Sequence, residues 1–430
     1  MWETLKNAWR IKDIRKKLLY TFGMLLLFRL VGVIPTPGVN PEAVANAIGK
    51  LDVLNLVNMM TGGNLSQATI MAMGITPYIN ASIILQLLCV AIPALERLSK
   101  DGGEEGRRKI NQITRYVTVG LAILQSVGII MTLNRMTDDS GLKVIQSDYN
   151  SFWGYAQISL VMAAGTMLAV WIGERITAKG IGNGISLLIF VGIVSNLFNG
   201  IIKAVAALFA GEGQYLDDVI IILLTTVLIV LLVTFVDMAE RRIQVQYAKR
   251  VVGRKMYGGQ STHIPMKLLA VGVLPLIFAY SFMAFPGTIM AMVPGLSGAY
   301  NWWQNNMNQQ SWLYALICAL LIVAFAYFYS AISFNPEDIS KNVQQQGGHI
   351  PGVRPGTATT MYLDRTSKRL TLFAALFLAL LATLPTFLWR TVNVSVPFGA
   401  SSILIAVQVA LETLRQLEGQ MTMRHYKGFL

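Results

Sequence analysis

The amino-acid sequence predicts an all-α polytopic membrane protein with about ten transmembrane helices. Of its 430 residues 54% are hydrophobic and 13% charged, and the mean hydropathy is +0.53. A helix rises about 1.5 Å per residue, so roughly 20 apolar residues cross the ~30 Å hydrocarbon core of a bilayer. The predicted spans are Leu18–Ile34, 74–92, 117–133, 155–172, 185–202, 218–236, 268–285, 312–333, 371–389 and Pro397–Leu414.

Basic residues are sorted between alternate connectors. On one side lie 29 of the 35 lysines and arginines, in 1–17, 93–115, 173–180, 240–267, 334–369 and 415–430. The opposite connectors hold only Lys50, Arg135, Lys143, Lys203 and Arg390. Cytoplasmic connectors are enriched in Lys and Arg, so both termini are predicted to be cytoplasmic. The net charge of +13 follows this topology, so we expect no direct DNA binding, with an acidic or RNA-bearing partner as the alternative.

An internal repeat divides the spans into two halves. Gly, Pro, Ile and Ala recur at one offset between Gly74–Ala81 and Gly272–Ala279. Each copy falls in the second span of a five-span half, and because five is odd the halves must cross the membrane in opposite senses. We therefore expect two inverted five-helix halves, 1–205 and 206–430. Pro77 and Pro275 are predicted to kink their spans, so that these helices line a site.

The stretch 54–73, before the second span, is apolar enough to enter the bilayer. It contains the sequence Thr61-Gly62-Gly63-Asn64. We interpret 54–73 as a short helix half-inserted from the outer side. An ordinary external loop helix is the alternative.

Two cytoplasmic connectors, about 240–267 and 333–370, are much longer than the rest. The first alternates polar and apolar residues over Ile243–Tyr247 and Val251–Tyr257, as a hairpin does, with Gly258-Gly259 as its turn. The second contains a Gly- and Pro-rich stretch that predicts a tight exposed tip around Arg354. Connectors of this length and charge are suited to binding partners.

Catalytic and coupling chemistry is missing from the spans. Arg29 is the only ionisable residue well inside a span, and it either snorkels, pairs with a backbone carbonyl or takes part in gating. The three histidines are far apart in sequence, and neither a metalloprotease nor a phosphate-binding motif occurs. We therefore expect no enzyme, no metal and no cofactor. The pattern indicates a conduit driven by partners at its cytoplasmic connectors.

Four ordered motifs carry a family resemblance over essentially the whole chain. They are Gly74–Leu88 (GITPYINASIILQLL), Gly180–Ser186 (GIGNGIS), Tyr247–Arg250 (YAKR) and Ile350–Gly356 (IPGVRPG). With these motifs the chain resembles the SecY/Sec61-alpha family of protein-conducting channels. The resemblance implies two five-helix halves around a central pore, hinged between spans 5 and 6. It also implies a lateral gate where spans 2 and 3 face spans 7 and 8.

The resemblance assigns roles to individual residues. A ring of apolar side chains would form the pore constriction, at Ile75, Ile79, Ile185, Ile189, Ile277 and Ile405. Thr61, Gly62, Gly63 and Asn64 would belong to the plug that covers the resting pore from outside. Asn80 and Phe285 would line the lateral gate, although Phe285-Pro286 could instead end the seventh span. Lys249, Arg250 and Arg354 would meet the motor ATPase SecA and the ribosome.

The expected function is conduction of unfolded polypeptides across a bacterial cell membrane, with lateral release of apolar segments into the lipid bilayer. The implied partners are SecE and SecG subunits, SecA, the ribosome, signal sequences and unfolded preproteins. The alternative is a secondary transporter with inverted repeats, which would need a small-molecule site and coupling-ion ligands. No Asp, Glu or His lies in the middle of a predicted span to supply such ligands.

Overall fold

Ten long helices coincide with the ten predicted spans in the computed structural model of the chain. The structure describes residues 6, 8–49, 58, 61–100, 102–134, 143–209, 216–247, 250–252, 255–257, 261–292, 294–307, 311–392 and 400–427. The helices are α1 Lys12–Val31, α2 Pro41–Gly49, α3 Thr76–Ala91, α4 Pro93–Lys100, α5 Gly103–Asn134, α6 Phe152–Lys179, α7 Gly184–Phe209, α8 Leu216–Met238, α9 Leu274–Met292, α10 Ser297–Asn306, α11 Trp312–Ser333, α12 Pro336–Gln345, α13 Thr357–Val392 and α14 Ala400–Lys427. The strands are β1 Glu240–Tyr247, β2 Arg250–Val252, β3 Lys255–Tyr257, β4 Ser261–Lys267 and β5 Gly348–His349.

Length and apolarity identify several of these helices as membrane spans by themselves. Within the described ranges, α5, α6, α11 and α13 are long and apolar enough to cross a bilayer. A fifth candidate is α3 together with α4, a pair bent by 107°. Shorter apolar stretches lie in α7, α8 and α9.

The two copies of the internal repeat share a local backbone conformation. Gly74 and Gly272 both have positive φ, at 51° and 66°, which a glycine adopts without steric cost. Three residues later, Pro77 and Pro275 each occupy the second residue of a helix. The predicted kinks at these prolines are therefore wrong, because the first turn of a helix has no amide partner to lose. The sharp bend instead follows α3.

The two halves meet along two seams. On one side α9 packs against α5 and α3, and on the other side α14 packs against α7. Between the seams lies a hydrophobic cluster that draws buried residues from both halves, among them Leu188 of α7 and Leu404 of α14. Both leucines are at most 1% exposed. The seams therefore enclose a continuous apolar centre.

The helix predicted over 54–73 does not extend through residues 61–73. From Thr61 to Ile75 the chain forms consecutive turns, interrupted by an isolated bridge between Thr69 and Pro35. Gly62 and Gly63 have φ of 75° and 87°, which an α-helix cannot contain. Residues 51–57 and 59–60 of the predicted helix lie outside the described residues.

The two long connectors, 240–267 and 333–370, pack together through their described strands. Strand β1 pairs with β4 over its length and, at its end, with β5 of the second connector, giving the order β4-β1-β5. Val245 and Met266 pack there against Val343 and Ile350. Within the same connector β2 pairs with β3. The predicted turn at Gly258-Gly259 lies outside the described residues.

Two ion pairs join neighbouring helices near their ends. Nη2 of Arg415 in α14 lies 2.9 Å from Oδ2 of Asp237 at the end of α8, and it also donates to the Asp237 carbonyl at 3.1 Å. Asp237 is 3% exposed. Arg115 of α5 donates to both carboxylate oxygens of Glu174 in α6, at 2.8 and 2.7 Å, but this pair is more exposed.

Replacing Arg415 by Leu is expected to lower the free energy of unfolding by about 2 kcal/mol, because it leaves the Asp237 carboxylate buried without a counter-ion. The additional change Asp237→Asn should recover part of that loss. Arg115→Leu is the matched control, with an expected loss below about 1 kcal/mol for an exposed pair. Thermal unfolding of the detergent-purified chain measures all three. Equal losses for Arg415→Leu and Arg115→Leu would contradict the role of burial.

Candidate pore, plug and lateral gate

The six isoleucines predicted to form the pore ring come together in the central hydrophobic cluster. Five are less than 9% exposed, and Ile185 is half-buried against the others' cluster. Ile75 immediately precedes α3, with Ile79 one turn later, and Ile185 and Ile189 are related by the same spacing in α7. Residues four apart share a helix face, so each pair places two isoleucine side chains on the same face of its helix. Ile277 of α9 and Ile405 of α14 complete the set.

An apolar cluster of branched side chains at the centre of a membrane protein has a defined physical effect. Isoleucine offers a passing chain no hydrogen bonds, and a narrow apolar neck excludes water and ions by dewetting. Burial does not distinguish Ile405 from Ile403, which is 2% exposed and belongs to the same cluster. The arrangement is suited to closing around an extended polypeptide.

Two of the four predicted plug residues, Gly62 and Gly63, lie against α7. A Cβ on Gly62 would stand 2.6 Å from the Cα of Gly192, so the two backbones are in direct contact and Gly62 admits no side chain. Thr61 and Asn64 are 4% and 2% exposed. Beside them, Gly63 lies against the side chain of Asn196. This segment therefore fills the space next to the isoleucine cluster.

The remainder of the turn segment is fixed on its outer side. The Thr36 amide donates to the Ala68 carbonyl at 2.7 Å, and the Ile70 amide donates to the Ile34 carbonyl at 3.0 Å. Leu65 and Met73 belong to a separate buried cluster that includes α2 and the ends of α5 and α6. The segment thus contributes to both buried clusters, since Met71 belongs to the central one.

Asn80, one of the two residues predicted to line a lateral gate, lies in the wall of a cavity at the seam between α3 and α9. The cavity has a volume of about 570 Å³, and its walls are almost entirely apolar. Its lining residues include Asn80, Ile83, Ile84, Leu87, Phe278, Ser281, Phe282, Pro286, Ile289, Met290, Leu296 and Phe325. Asn80 Oδ1 and Ser281 Oγ are buried there without a hydrogen-bond partner among the described residues. The seam is therefore incompletely packed, and these two buried polar atoms have no hydrogen-bond partner among the described residues.

Phe285 and Pro286 do not end the seventh span, because α9 continues to Met292 with Pro286 inside it. Phe285 thus lies in α9, on the helix that forms one wall of the cavity, but its side chain is outside the described part of the structure. A proline within a helix removes one backbone hydrogen bond, and its ring clashes with the carbonyl four residues earlier. The cavity lies beside this weakened turn.

Two of the three predicted partner-binding residues, Arg250 and Arg354, lie in described parts of the two long connectors. Arg354 is exposed at the loop tip, and its backbone carbonyl accepts a hydrogen bond from Thr359 Oγ1 at 2.9 Å. Its guanidinium forms no ion pair within the described ranges. Arg250 begins β2, whose side chains are not described, and Lys249 lies outside the described residues. The backbone thus holds Arg354 free to meet a partner.

Several contacts at the site have no signal in the sequence. No sequence pattern indicates that Gly62 meets Gly192 or that β5 pairs with β1. Of the three alternatives for Arg29, the structure shows the pairing with a backbone carbonyl: its Nη1 donates to the Gly62 carbonyl at 3.3 Å. These contacts join residues distant in the chain, so only the folded arrangement reveals them.

Comparison with known proteins assigns the family. The sequence profile of SecY matches residues 69–414. The chain belongs to the SecY family. The protein translocase subunit SecY of Halalkalibacterium halodurans is 41% identical over 100% of both chains. The corresponding subunit of Streptomyces coelicolor is 43% identical over 99% of this chain and 98% of its own. Family membership decides against the alternative of a secondary transporter.

Solved structures share the fold. A structure described as a protein conducting channel has a TM-score of 0.66 at 18% identity, covering 94% of this chain and 92% of its own. Sec61 in the canine ribosome-channel complex has a TM-score of 0.62 at 17% identity, with the same coverage. These likenesses confirm the fold of about ten transmembrane helices in two inverted halves.

Replacing Ile79 and Ile277 by Gly is expected to widen the constriction and raise ion conductance through the idle channel, because a wider neck no longer dewets. Conductance is measured in planar bilayers with the purified channel. Ile202→Gly is the matched control, since Ile202 is 62% exposed on α7, away from the cluster. Unchanged conductance in the double variant would remove these two positions from the constriction.

Cysteines at Asn80 and Phe285 are expected to cross-link across the seam of the closed channel. Cys89 and Cys318 are both free thiols and are first changed to Ser. A disulfide requires Cα atoms within roughly 7 Å, so a short bifunctional reagent is used beside oxidation. A second pair at Asn80 and Ser281 tests the same seam.

Joining the two helices should stop secretion of a precursor protein, and reduction of the disulfide should restore it. The Cys-free parent treated with the same reagents is the control. If a fully cross-linked channel secretes normally, this seam is not the lateral exit.

Proposed function

We propose that the chain is the pore-forming subunit of a protein-conducting channel that passes unfolded polypeptides and releases apolar segments sideways into lipid. One observation carries this proposal: the buried isoleucine cluster between the two halves lies next to a largely apolar cavity at the seam of α3 and α9. The cluster suits a seal and the cavity suits an exit. The relatives' description as protein translocase subunits agrees with both.

Resting closure has two layers in this proposal. Ile75, Ile79, Ile185, Ile189, Ile277 and Ile405 form the constriction, which seals by dewetting. Thr61, Gly62, Gly63 and Asn64 form the part of the plug that covers it. A related SecY structure is described as having a plug domain that stabilises the closed state and maintains a membrane seal. A passing chain displaces the plug and takes its place within the ring.

Sorting occurs at the seam. A segment of roughly 20 apolar residues gains free energy by leaving the aqueous pore, at about 25 cal/mol for each Å² of apolar surface removed from water. The cavity beside Asn80 offers that segment an apolar wall before it reaches lipid. Polar segments gain nothing there and continue through the ring. The halves 1–205 and 206–430 separate along this seam.

The driving force comes from partners at the cytoplasmic unit. Arginine at a rigid loop tip pairs readily with carboxylate or phosphate, which SecA and the ribosome supply. Lys249, Arg250 and Arg354 form the contact. Two of the structural neighbours are ribosome-bound channel complexes. SecE and SecG complete the channel in the bacterial cell membrane, with both termini of this chain in the cytoplasm.

Replacing Arg354 by Glu is expected to reduce SecA-driven translocation by at least tenfold while leaving thermal stability within about 1 kcal/mol, because an exposed charge contributes little to folding. Translocation of a precursor into proteoliposomes measures the effect. Lys341→Glu is the matched control, since Lys341 is also exposed on the same connector. Normal SecA-driven translocation by Arg354→Glu, or an equal defect in both variants, would contradict a specific contact at Arg354.

A further inference from the structure

We propose that Arg29 is a positioning residue that keeps the plug seated, by holding the Gly62 carbonyl from the outer end of α1. This inference depends on the proposed plug function of the segment around Gly62. It assigns a role in the resting seal to a residue that contacts neither the isoleucine ring nor the lateral cavity. Arg29 would set how easily the idle channel opens.

The geometry around Gly62 places it between two neighbours. On one side Arg29 Nη1 donates to its carbonyl at 3.3 Å. On the other side its Cα faces Gly192 of α7 at a separation that leaves no room for a Cβ. The guanidinium therefore binds the turn at the point where the turn contacts α7, the helix that contributes Ile189 to the central cluster. Releasing Arg29 frees Gly62 to leave α7.

The other links between α1 and the turn segment are of a different kind. Ala68 and Ile70 are held by backbone hydrogen bonds to Thr36 and Ile34, which no side-chain substitution removes. Gly62 is joined to α1 through the Arg29 side chain. Among the described hydrogen bonds between α1 with its following residues and the segment, the one at Gly62 is thus the one that a side-chain substitution removes.

The charge and surroundings of Arg29 are suited to a reversible contact with the Gly62 carbonyl. Arg29 is half-buried and lies in the last turn of α1, where the helix dipole favours a cation. It forms no ion pair in the part of the chain that the structure describes. A charged donor on a neutral carbonyl is stronger than a neutral hydrogen bond, yet water can replace the carbonyl when the plug moves.

The test uses the complete channel with its small membrane subunits in planar bilayers, and it measures ion conductance without substrate. Four forms are compared: wild type, Arg29→Leu, a deletion of Thr61–Gln67, and both changes together. Arg29→Leu should raise the open fraction about tenfold, which equals about 1.4 kcal/mol. The deletion should raise conductance further. The combined form should conduct no more than the deletion alone, because Arg29 acts through the plug.

Two further variants separate the latch from charge and packing. Arg29→Lys keeps a long charged donor, so its conductance should stay within about twofold of wild type. Arg15→Leu removes an exposed charge from the cytoplasmic end of the same helix and should leave conductance unchanged. If Arg29→Leu is not recovered as a folded channel, Arg29→Gln replaces it with the same expectation of a raised open fraction.

The outcomes distinguish this inference from the proposed plug function. If the deletion itself leaves conductance at the wild-type value, the segment is not a plug and both proposals fail. If the deletion leaks while the substituted Arg29 channel stays closed, the plug stands and the latch is wrong. If the substitution adds further leak to the deletion form, Arg29 acts elsewhere and the inference is overturned.

Discussion

The apolar contact between the two halves of the chain is the constraint on which the rest of the structure depends. Isoleucines from α3, α7, α9 and α14 meet in one buried cluster, and a seal made of such side chains forms no hydrogen bond that a passing chain would have to break. Each half must therefore present the start of its second helix to the centre. The positive-φ glycines Gly74 and Gly272 and the prolines that follow them give both helices the same start.

Weak and close contacts surround this centre. Gly62 lies directly on Gly192, and the seam between α3 and α9 leaves a cavity in which two polar atoms have no hydrogen-bond partner among the described residues. Protein interiors are normally packed to high density, so this seam is packed less completely than the centre. Stronger polar links lie elsewhere, in the Asp237–Arg415 pair and in the sheet that joins the two long connectors. Close packing at the centre and polar attachment at the connectors are thus separated in space.

Hydropathy and the distribution of charge along the sequence predicted much of the architecture. The ten apolar stretches each coincide with a helix, since the length of a span is dictated by the bilayer and not by neighbouring residues. The repeat around Pro77 and Pro275 identified the two halves. The kinks assigned to these prolines were wrong, because a composition pattern does not say where a helix begins. The turns at Thr61–Ile75 were missed for the same reason.

The sequence by itself determined the spans, the inverted halves, the family and the residue types suited to a constriction, because these follow from local hydropathy, charge and motif order. Only the tertiary structure decided which side chains meet. The pairing of Arg29 with Gly62, the contact of Gly62 with Gly192 and the cavity beside Asn80 each join segments far apart in the chain. Local pattern holds no information about such distances, since they are fixed by how the helices pack.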